Sequence, residues 1–227
     1  MLAKHKVAGS TPVTRSTSTT KTLFRIPPLG PAADSDAVQN SLKFVTSNQH
    51  KFSEADGILA DYGISIEMVL LELREIQADA LEEIAAEKAR EACRRIDGPA
   101  MVEDTGLFIN ELLGFPGPYS AYVFRTVGNM GILRLLEGAA DRGATFRSVF
   151  AYCCPDGAPE CFASAVVGTI APVCRGTGWG YDPIFIAEGA SGRTYGELGK
   201  EKNQLSHRRR ALEGLARRIH NTGTPPE

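Results

Sequence analysis

Pro99-Ala100-Met101-Val102-Glu103-Asp104-Thr105-Gly106 is the stretch on which the fold of this chain turns. Apolar residues run straight into two adjacent carboxylates, then a hydroxyl, then a glycine. A buried strand ending in acids, with a turn directly after it, places charge at the mouth of a cleft in many α/β proteins. Adjacent acids are also common on solvated loops, so the pair gains meaning only from the segments around it.

Upstream, Gly98-Pro99 closes a helix that carries Leu81, Ile84, Ala85, Ala89, Ala92, Cys93 and Ile96 on one side. Asp79, with Glu82 three residues on, has the spacing of a capping box. Lys88 interrupts the apolar stripe; it either snorkels to solvent or reaches a ligand at the cleft. Ile64 to Leu73 reads as a strand followed by Arg74 and Glu75, and Leu42 to Thr46 as the first strand. After that strand come Ser47, Asn48, Gln49, His50 and Lys51, then Phe52, Ala55, Leu59 and Tyr62 near helical spacing. Thr46 to Lys51 therefore lies on a strand-to-helix turn, where hydroxyls, an amide, a lysine and backbone N–H groups suit an anion. The simpler reading makes Ser47 or Asn48 a helix cap and leaves Lys51 in water. The G-x-x-x-x-G-K-[ST] pattern of a P-loop is absent.

Downstream, Leu107-Phe108-Ile109 and Leu112-Leu113 read as core, and residues 114–120 as a Gly/Pro-rich fixed loop. Ile132 to Leu136 is a short helix. Thr145 to Cys153 and Cys161 to Ile170 are strands joined by Pro155-Asp156-Gly157, a hairpin turn. Gly176-Thr177-Gly178-Trp179-Gly180-Tyr181-Asp182-Pro183 alternates glycines around the single tryptophan, in a spacing that is not the dinucleotide-binding G-x-G-x-x-G. Such glycines admit close backbone approach, Trp179 offers a flat face for a base, and Asp182 can accept from a base edge. A structural turn with Trp179 buried is the alternative. Lys202, Ser206, His207 and Arg208 open the last helix. If Lys202 precedes it, Ser206 caps it, and His207 and Arg208 fall in its first turn facing an anion.

Length and composition bound these readings. The 227 residues suffice for a real core, and 25 basic against 27 acidic residues, net −2, argue against a general nucleic-acid binder. No apolar run approaches the roughly 18–20 residues that span a bilayer. Cys93, Cys153, Cys154, Cys161 and Cys174 include no C-x-x-C pair and read as reduced, mostly core thiols of a cytoplasmic chain. Residues 1–40 differ from the rest: basic, rich in Ser and Thr, with no acid before Asp34. They are expected to form a disordered extension, although the composition also fits a transit peptide or an over-long start.

Taken in order, T-S-N-Q-H-K at 46–51, V-E-D-T-G-L at 102–107, F-P-G-P-Y-S-A at 115–121, G-W-G-Y-D-P-I-F at 178–185 and E-K-N-Q-L-S-H-R at 201–208 resemble the Ham1/inosine triphosphate pyrophosphatase family. The resemblance runs from about residue 42 to 220. It implies Mg²⁺-dependent hydrolysis of noncanonical purine nucleoside triphosphates (ITP, dITP, XTP) to the monophosphate and pyrophosphate. It implies that Thr46, Ser47, Asn48, Gln49, His50 and Lys51 bind the triphosphate, with Lys51 on a phosphate. Asp104 becomes catalytic base and metal ligand, Glu75 the second ligand of one Mg²⁺ per subunit, and Thr105 a substrate contact. Trp179, Gly180, Tyr181 and Asp182 hold the base; Lys202, His207 and Arg208 touch base and phosphates. Lys88 matches a lysine that many members place near the substrate.

Two departures from the family pattern stand out. Trp179 replaces the usual phenylalanine, and Ala121 falls where many members have a basic residue. The related Maf-like class, which acts on pyrimidine or modified nucleotides, and an inactive nucleotide- or RNA-binding module are the competing readings.

The expected fold is α/β: a long mixed β-sheet flanked by helices, in two lobes around a central nucleotide-binding cleft. One catalytic domain over residues 41–221 and a short tail over 222–227 are expected. The expected partners are a purine nucleoside triphosphate and a second copy of the chain, with no stable nucleic acid and no membrane. Glu103, one residue from Asp104 in a pleated strand, is expected to point to the opposite face and act as a supporting residue.

Overall fold

The computed structural model describes residues 41–222. The expected extension over residues 1–40 and most of the short tail lie outside them. The described residues form a seven-stranded mixed sheet, with strand order β2-β1-β3-β5-β6-β7 and β4 paired to β3. The strands are β1 (Leu42–Val45), β2 (Ile66–Val69), β3 (Ala100–Ile109), β4 (Pro116–Gly117), β5 (Gly143–Cys153), β6 (Glu160–Ile170) and β7 (Phe185–Ala187). Strands β2, β1 and β3 are parallel; β3, β5, β6 and β7 are antiparallel. The β5–β6 hairpin is the one that Pro155-Asp156-Gly157 foretells.

Helices α1 (Gln49–Ala60) and α2 (Leu81–Ile96) supply the crossovers that parallel pairing requires. The remaining helices are α3 (Ser120–Thr126), α4 (Gly128–Leu135), α5 (Tyr195–Leu198), the one-turn α6 (Lys202–Leu205) and the terminal α7 (His207–Thr222). One apolar cluster joins α1 and α7 to β1, β3 and β5 through Phe44, Ile58, Phe150 and Leu212. A second joins α2 to β3 and β5 through Leu81, Ala85, Val102 and Val149. The third fills the far lobe around Leu107, Ile132, Phe146, Phe185 and Tyr195.

Several sequence expectations shift. The acid pair does not end its strand: β3 continues through Ile109, in register with β5 all the way to Ala144. Its continuation is driven by Leu107 and Ile109, both fully buried. The second strand covers only Ile66–Val69 of the apolar run. Helix α2 begins after Ala80 with no side-chain cap, so the capping box at Asp79 does not form. The loop over 114–120 includes the two-residue β4, and a helix, α3, follows it that the pattern did not announce.

What positions the site is a gap in the sheet. β3 pairs with β1 at Met101 and with β4 only from Leu107. Between those points its outer edge has no strand partner among the described residues, and Glu103, Asp104 and Thr105 fall in that window. The gap closes at Gly106-Leu107, where Ser120 Oγ accepts from the Leu107 N–H at 2.8 Å and donates to the Gly117 carbonyl at 2.7 Å.

Gly106 is required by this closure, not by a turn. A Cβ there would lie 2.6 Å from the Gly117 carbonyl oxygen and 2.9 Å from the Phe108 ring. Gly106→Ala is expected to destabilise the protein by about 1–3 kcal/mol, the usual scale of overpacking. Urea denaturation checks it; an unchanged midpoint would show that β3 and β4 part without cost.

Candidate active site

The window in β3 opens into a cleft of about 480 Å³, lined by residues of α1, α3, α4, the Gly178–Asp182 turn and the start of α7. Of the residues singled out in the sequence, Asn48, His50, Lys51, Thr105, Trp179, Gly180, Tyr181, Asp182, Lys202, His207 and Arg208 line it. Thr46, Ser47 and Gln49 do not. Asp104 and Glu75 meet on the opposite face of β3.

On the cleft side, Glu103 has no side-chain exposure. Its Oε1 accepts from Arg208, Ser148 and Thr105, and Lys51 Nζ lies 3.6 Å from Oε2. Burial works against the negative charge, yet Arg208 and Lys51 hold the Glu103 carboxyl well below the ordinary carboxylate range. Arg208 is itself buried, and the paired carboxylates of Glu103 and Glu54 outweigh burial and raise its pKa.

Glu54, on α1, is the hub of the neighbouring network. It accepts from Trp179 Nε1 at 2.8 Å and Lys202 Nζ at 2.7 Å, and pairs with Arg208. Burial alone would raise its carboxyl, but Arg208 and Lys202 bring it below the usual value. Lys202 also reaches Asp182 Oδ2 at 2.8 Å. Burial leaves the Asp182 carboxyl raised in spite of that pairing. The Trp179 ring is half-buried and stacks on the His50 imidazole, centroids 5.5 Å apart and planes 9° from parallel. Tyr181 belongs to the core, its hydroxyl donating to the Ser120 carbonyl at 2.9 Å.

At the strand-to-helix turn Asn48 is the helix cap of the simpler reading, but Lys51 is not left in water, since its Nζ lies 3.6 Å from Glu103 Oε2. Asn48 Oδ1 caps α1, accepting from the His50 and Lys51 N–H groups at 3.0 and 3.1 Å, while Asn48 also faces the cleft. Thr46 Oγ1 accepts from the Asn48 N–H at 3.1 Å. At the other end of the cleft, Lys202 sits on α6 and Ser206 Oγ caps α7 by accepting from the Arg209 N–H at 3.1 Å. Arg208 thereby falls in the first turn of α7, as the sequence foretold. His207 stacks flat on Phe146, centroids 4.3 Å apart and planes 2° from parallel. Neither of its ring nitrogens meets a partner among the described residues.

On the other face, Lys88 does not snorkel. Its Nζ donates to Asp104 Oδ1 at 2.8 Å and to Glu75 Oε1 at 3.0 Å. Burial would lower the Lys88 pKa, but the Asp104 and Glu75 carboxylates raise it. Asp104 Oδ2 is buried with no hydrogen-bond partner among the described residues. Burial pushes the Asp104 carboxyl above the ordinary range, in spite of Lys88 and Lys51.

Among the described residues no three His, Cys, Asp or Glu side chains converge as a metal cluster. Two carboxylates still suit Mg²⁺, which keeps several waters and takes further oxygens from a phosphate. The unpartnered Asp104 Oδ2, and a Glu75 oxygen close enough to share one ammonium with Asp104, fit that ion. Glu54, Asn129 and Phe146 belong to the cleft or its network without having been singled out in the sequence. Only Glu54 had a usable signal, since it lies three residues after Lys51 on one helix and so shares its face.

A profile of the Ham1 family matches residues 42–218. A dITP/XTP pyrophosphatase of Methanopyrus kandleri is 54% identical over 175 residues, 76% of this chain and 93% of that protein. One of Thermococcus kodakarensis is 48% identical over 177 residues, 77% of this chain and 95% of that protein. Among solved structures, a HAM1 protein from Coxiella burnetii superposes with TM-score 0.66 at 33% identity, covering 79% of this chain and 99% of its own. The Staphylococcus aureus Ham1 protein superposes with TM-score 0.67 at 29% identity, covering 79% and 99%.

The environment of His207 has a measurable consequence. Full burial, then the positive charges of Arg208, Lys202 and Lys51, hold the imidazole well below its ordinary pKa; Glu103 opposes them only in part. Below pH about 6.5 the unfolded chain takes up a proton that the folded one refuses, so stability falls as pH falls. The expected slope is up to about 1.4 kcal/mol per pH unit. Thermal unfolding between pH 7.5 and 5.5 should show this slope in the wild type and a flatter profile in His207→Asn; equal slopes would mean that the buried ring titrates normally.

Proposed function

The chain belongs to the Ham1 family, and from that membership and the cleft we infer that it is a nucleoside triphosphate pyrophosphohydrolase. Its substrates are noncanonical purine nucleotides of the ITP, dITP and XTP type, cleaved to the monophosphate and pyrophosphate. The observation that carries the reading is the β3 window. One strand presents Thr105 to the cleft, holds the cleft-lining Arg208 through the buried Glu103, and turns the buried carboxylate of Asp104 to the opposite face.

The chain's own groups divide the work. Lys51 and the polar turn from Thr46 to Lys51 hold the phosphates by charge and by dipoles at the start of α1. Asp104 takes the proton of the water that adds across the α–β phosphoanhydride, and pyrophosphate leaves as that bond breaks. Lys88 neutralises Asp104 and Glu75 and keeps them close together. Asp104 and Glu75 would hold one Mg²⁺, which when bound supplies neutralisation of the phosphate charge. Trp179, Asp182, Lys202 and His207 enclose the base. A donor from His207 to O6 favours a 6-keto purine over a 6-amino one. Arg125, one helical turn after Ala121, lines the same cleft and offers the positive charge that Ala121 lacks.

The working unit is a homodimer in this reading. Leu113, Tyr122, Met130 and Leu135 are each more than half exposed between the end of β3 and α4, and four nearby apolar side chains are at least 38% exposed. An apolar run of this density supports burial against a second copy. Five free thiols fit a reducing compartment, the cytoplasm. Among the described residues no helix is long and apolar enough to cross a membrane.

Pyrophosphate release from ITP, XTP and ATP, with and without Mg²⁺, tests the activity. ITP and XTP are expected to turn over at least about 100-fold faster than ATP, within what mismatched buried polar groups can achieve. Comparable turnover of all three would remove the base selection, and a preference for UTP or dTTP would move the protein to the Maf-like class. Asp104→Asn should bind nucleotide yet lose about 10²–10⁴-fold in turnover, the range of general base catalysis. Near-normal activity would take Asp104 out of the chemistry.

The dimer is tested by sedimentation equilibrium of the wild type and of a Leu113→Glu, Met130→Glu double variant. A dimer that becomes a monomer is expected; a monomeric wild type would overturn the assembly.

A further inference from the structure

Asn129 stands on the first turn of α4 and lines the same cleft as Trp179, Gly180, Asp182, Lys202 and His207. Its Nδ2 donates to the Gly180 carbonyl at 3.0 Å. A carbonyl oxygen only accepts, so this bond fixes which end of the carboxamide is the amino group and which is the oxygen. The Oδ1 end is buried and has no hydrogen-bond donor among the described residues. A buried acceptor left without a donor is rare in proteins and calls for a physical reason. A ligand that supplies the donor is one.

A second unmatched side chain of the cleft lining is the imidazole of His207, whose two nitrogens also lack partners among the described residues. A neutral imidazole offers one N–H and one lone pair. Two residues of the cleft lining thus carry, one, a spare acceptor of fixed orientation and, the other, a spare donor. This is the complement of a lactam edge, in which a ring N–H donates and the adjacent keto oxygen accepts. Hypoxanthine and xanthine carry that edge at N1 and O6. Adenine carries its reverse: N1 is a bare lone pair and the 6-amino group donates.

We propose that Asn129 is a specificity-determining residue that accepts a hydrogen bond from the N1–H of a 6-oxopurine base through Oδ1. Against adenine the same oxygen faces the N1 lone pair, and the amide cannot turn over without losing its bond to Gly180. Selection against ATP is thereby written twice, at O6 by a donor and at N1 by an acceptor. Guanine also bears N1–H, so its exclusion is not a task of Asn129. The proposal rests on the purine-nucleotide reading of the cleft.

Its test is kcat/KM for ITP, 1-methyl-ITP and ATP in the wild type and in Asn129→Ala. Removing one hydrogen-bond donor from a buried acceptor is expected to make 1-methyl-ITP about 10- to 100-fold poorer than ITP for the wild type. In Asn129→Ala that gap and the preference for ITP over ATP should both shrink by about tenfold or more. The wild-type comparison needs no variant to fold. Equal use of ITP and 1-methyl-ITP by the wild type overturns the proposal. So does a fall in all three substrates by one factor in Asn129→Ala, which marks a structural or ribose contact. Absence of pyrophosphate release from every purine triphosphate by the wild type would instead overturn the activity itself.

Discussion

Glu103 carries a charge where no water reaches it, and the rest of the site follows from how that charge is tolerated. A buried carboxylate needs a partner, and losing one partner of such a pair typically costs about 3–5 kcal/mol. Arg208 is the partner, buried as completely as Glu103. Since Arg208 also pairs with Glu54, three elements distant in sequence are bound at one point: β3, α1 and α7. The start of α7 is then fixed by Ser206, which brings His207 flat against Phe146. Lys202, on the preceding turn, is drawn into the same network by Glu54 and Asp182. The cleft is assembled around ion pairs and not around a loop.

The pleat of β3 does the rest. Successive side chains of a strand leave on opposite faces, so Thr105 lines the cleft with Glu103 buried behind it on the same side, and Asp104 meets Lys88 and Glu75 on the other. The window exists because β1 stops while β3 continues, leaving the strand's edge uncovered between Met101 and Leu107. This is the switch-point geometry of open α/β sheets, in which the crevice opens beyond the carboxyl end of a parallel strand.

Much of this was legible in residue order. Apolar runs flanked by turn chemistry located β1, β5 and β6. The opposite orientations of Glu103 and Asp104 follow from strand period alone. The cap at Ser206 follows from its place before α7. Other features depended on contacts between segments that no local pattern encodes. Asp79 with Glu82 has capping spacing, yet α2 begins at Leu81, because packing of Leu81 against β3 and β5 fixes where the helix starts. The acids looked like a strand end because polarity interrupts the apolar run; burial of Glu103 by Arg208, about a hundred residues away, allows the strand to pass through. Asn129 reads as an ordinary helix-start residue until the Gly180 carbonyl is seen to hold its amino group.

The charges of the cleft also orient the ligand. Lys51, Lys202 and Arg208 contribute three cations, and Glu54, Glu103 and Asp182 three carboxylates, all in contact with one another. Formally the set is neutral, so it offers little net attraction for a polyanion but suits an uncharged ring, with Trp179 as a flat wall. Within this set the cation with least to neutralise it is Lys51, whose Glu103 partner is already claimed by Arg208. Lys51 lies at the turn that opens toward the β3 window and Asp104. In the proposed reading a nucleotide places its base among the matched pairs and its phosphates at Lys51. On that reading the α–β linkage comes to the edge of β3, where Asp104 Oδ2 is buried without a hydrogen-bond partner among the described residues.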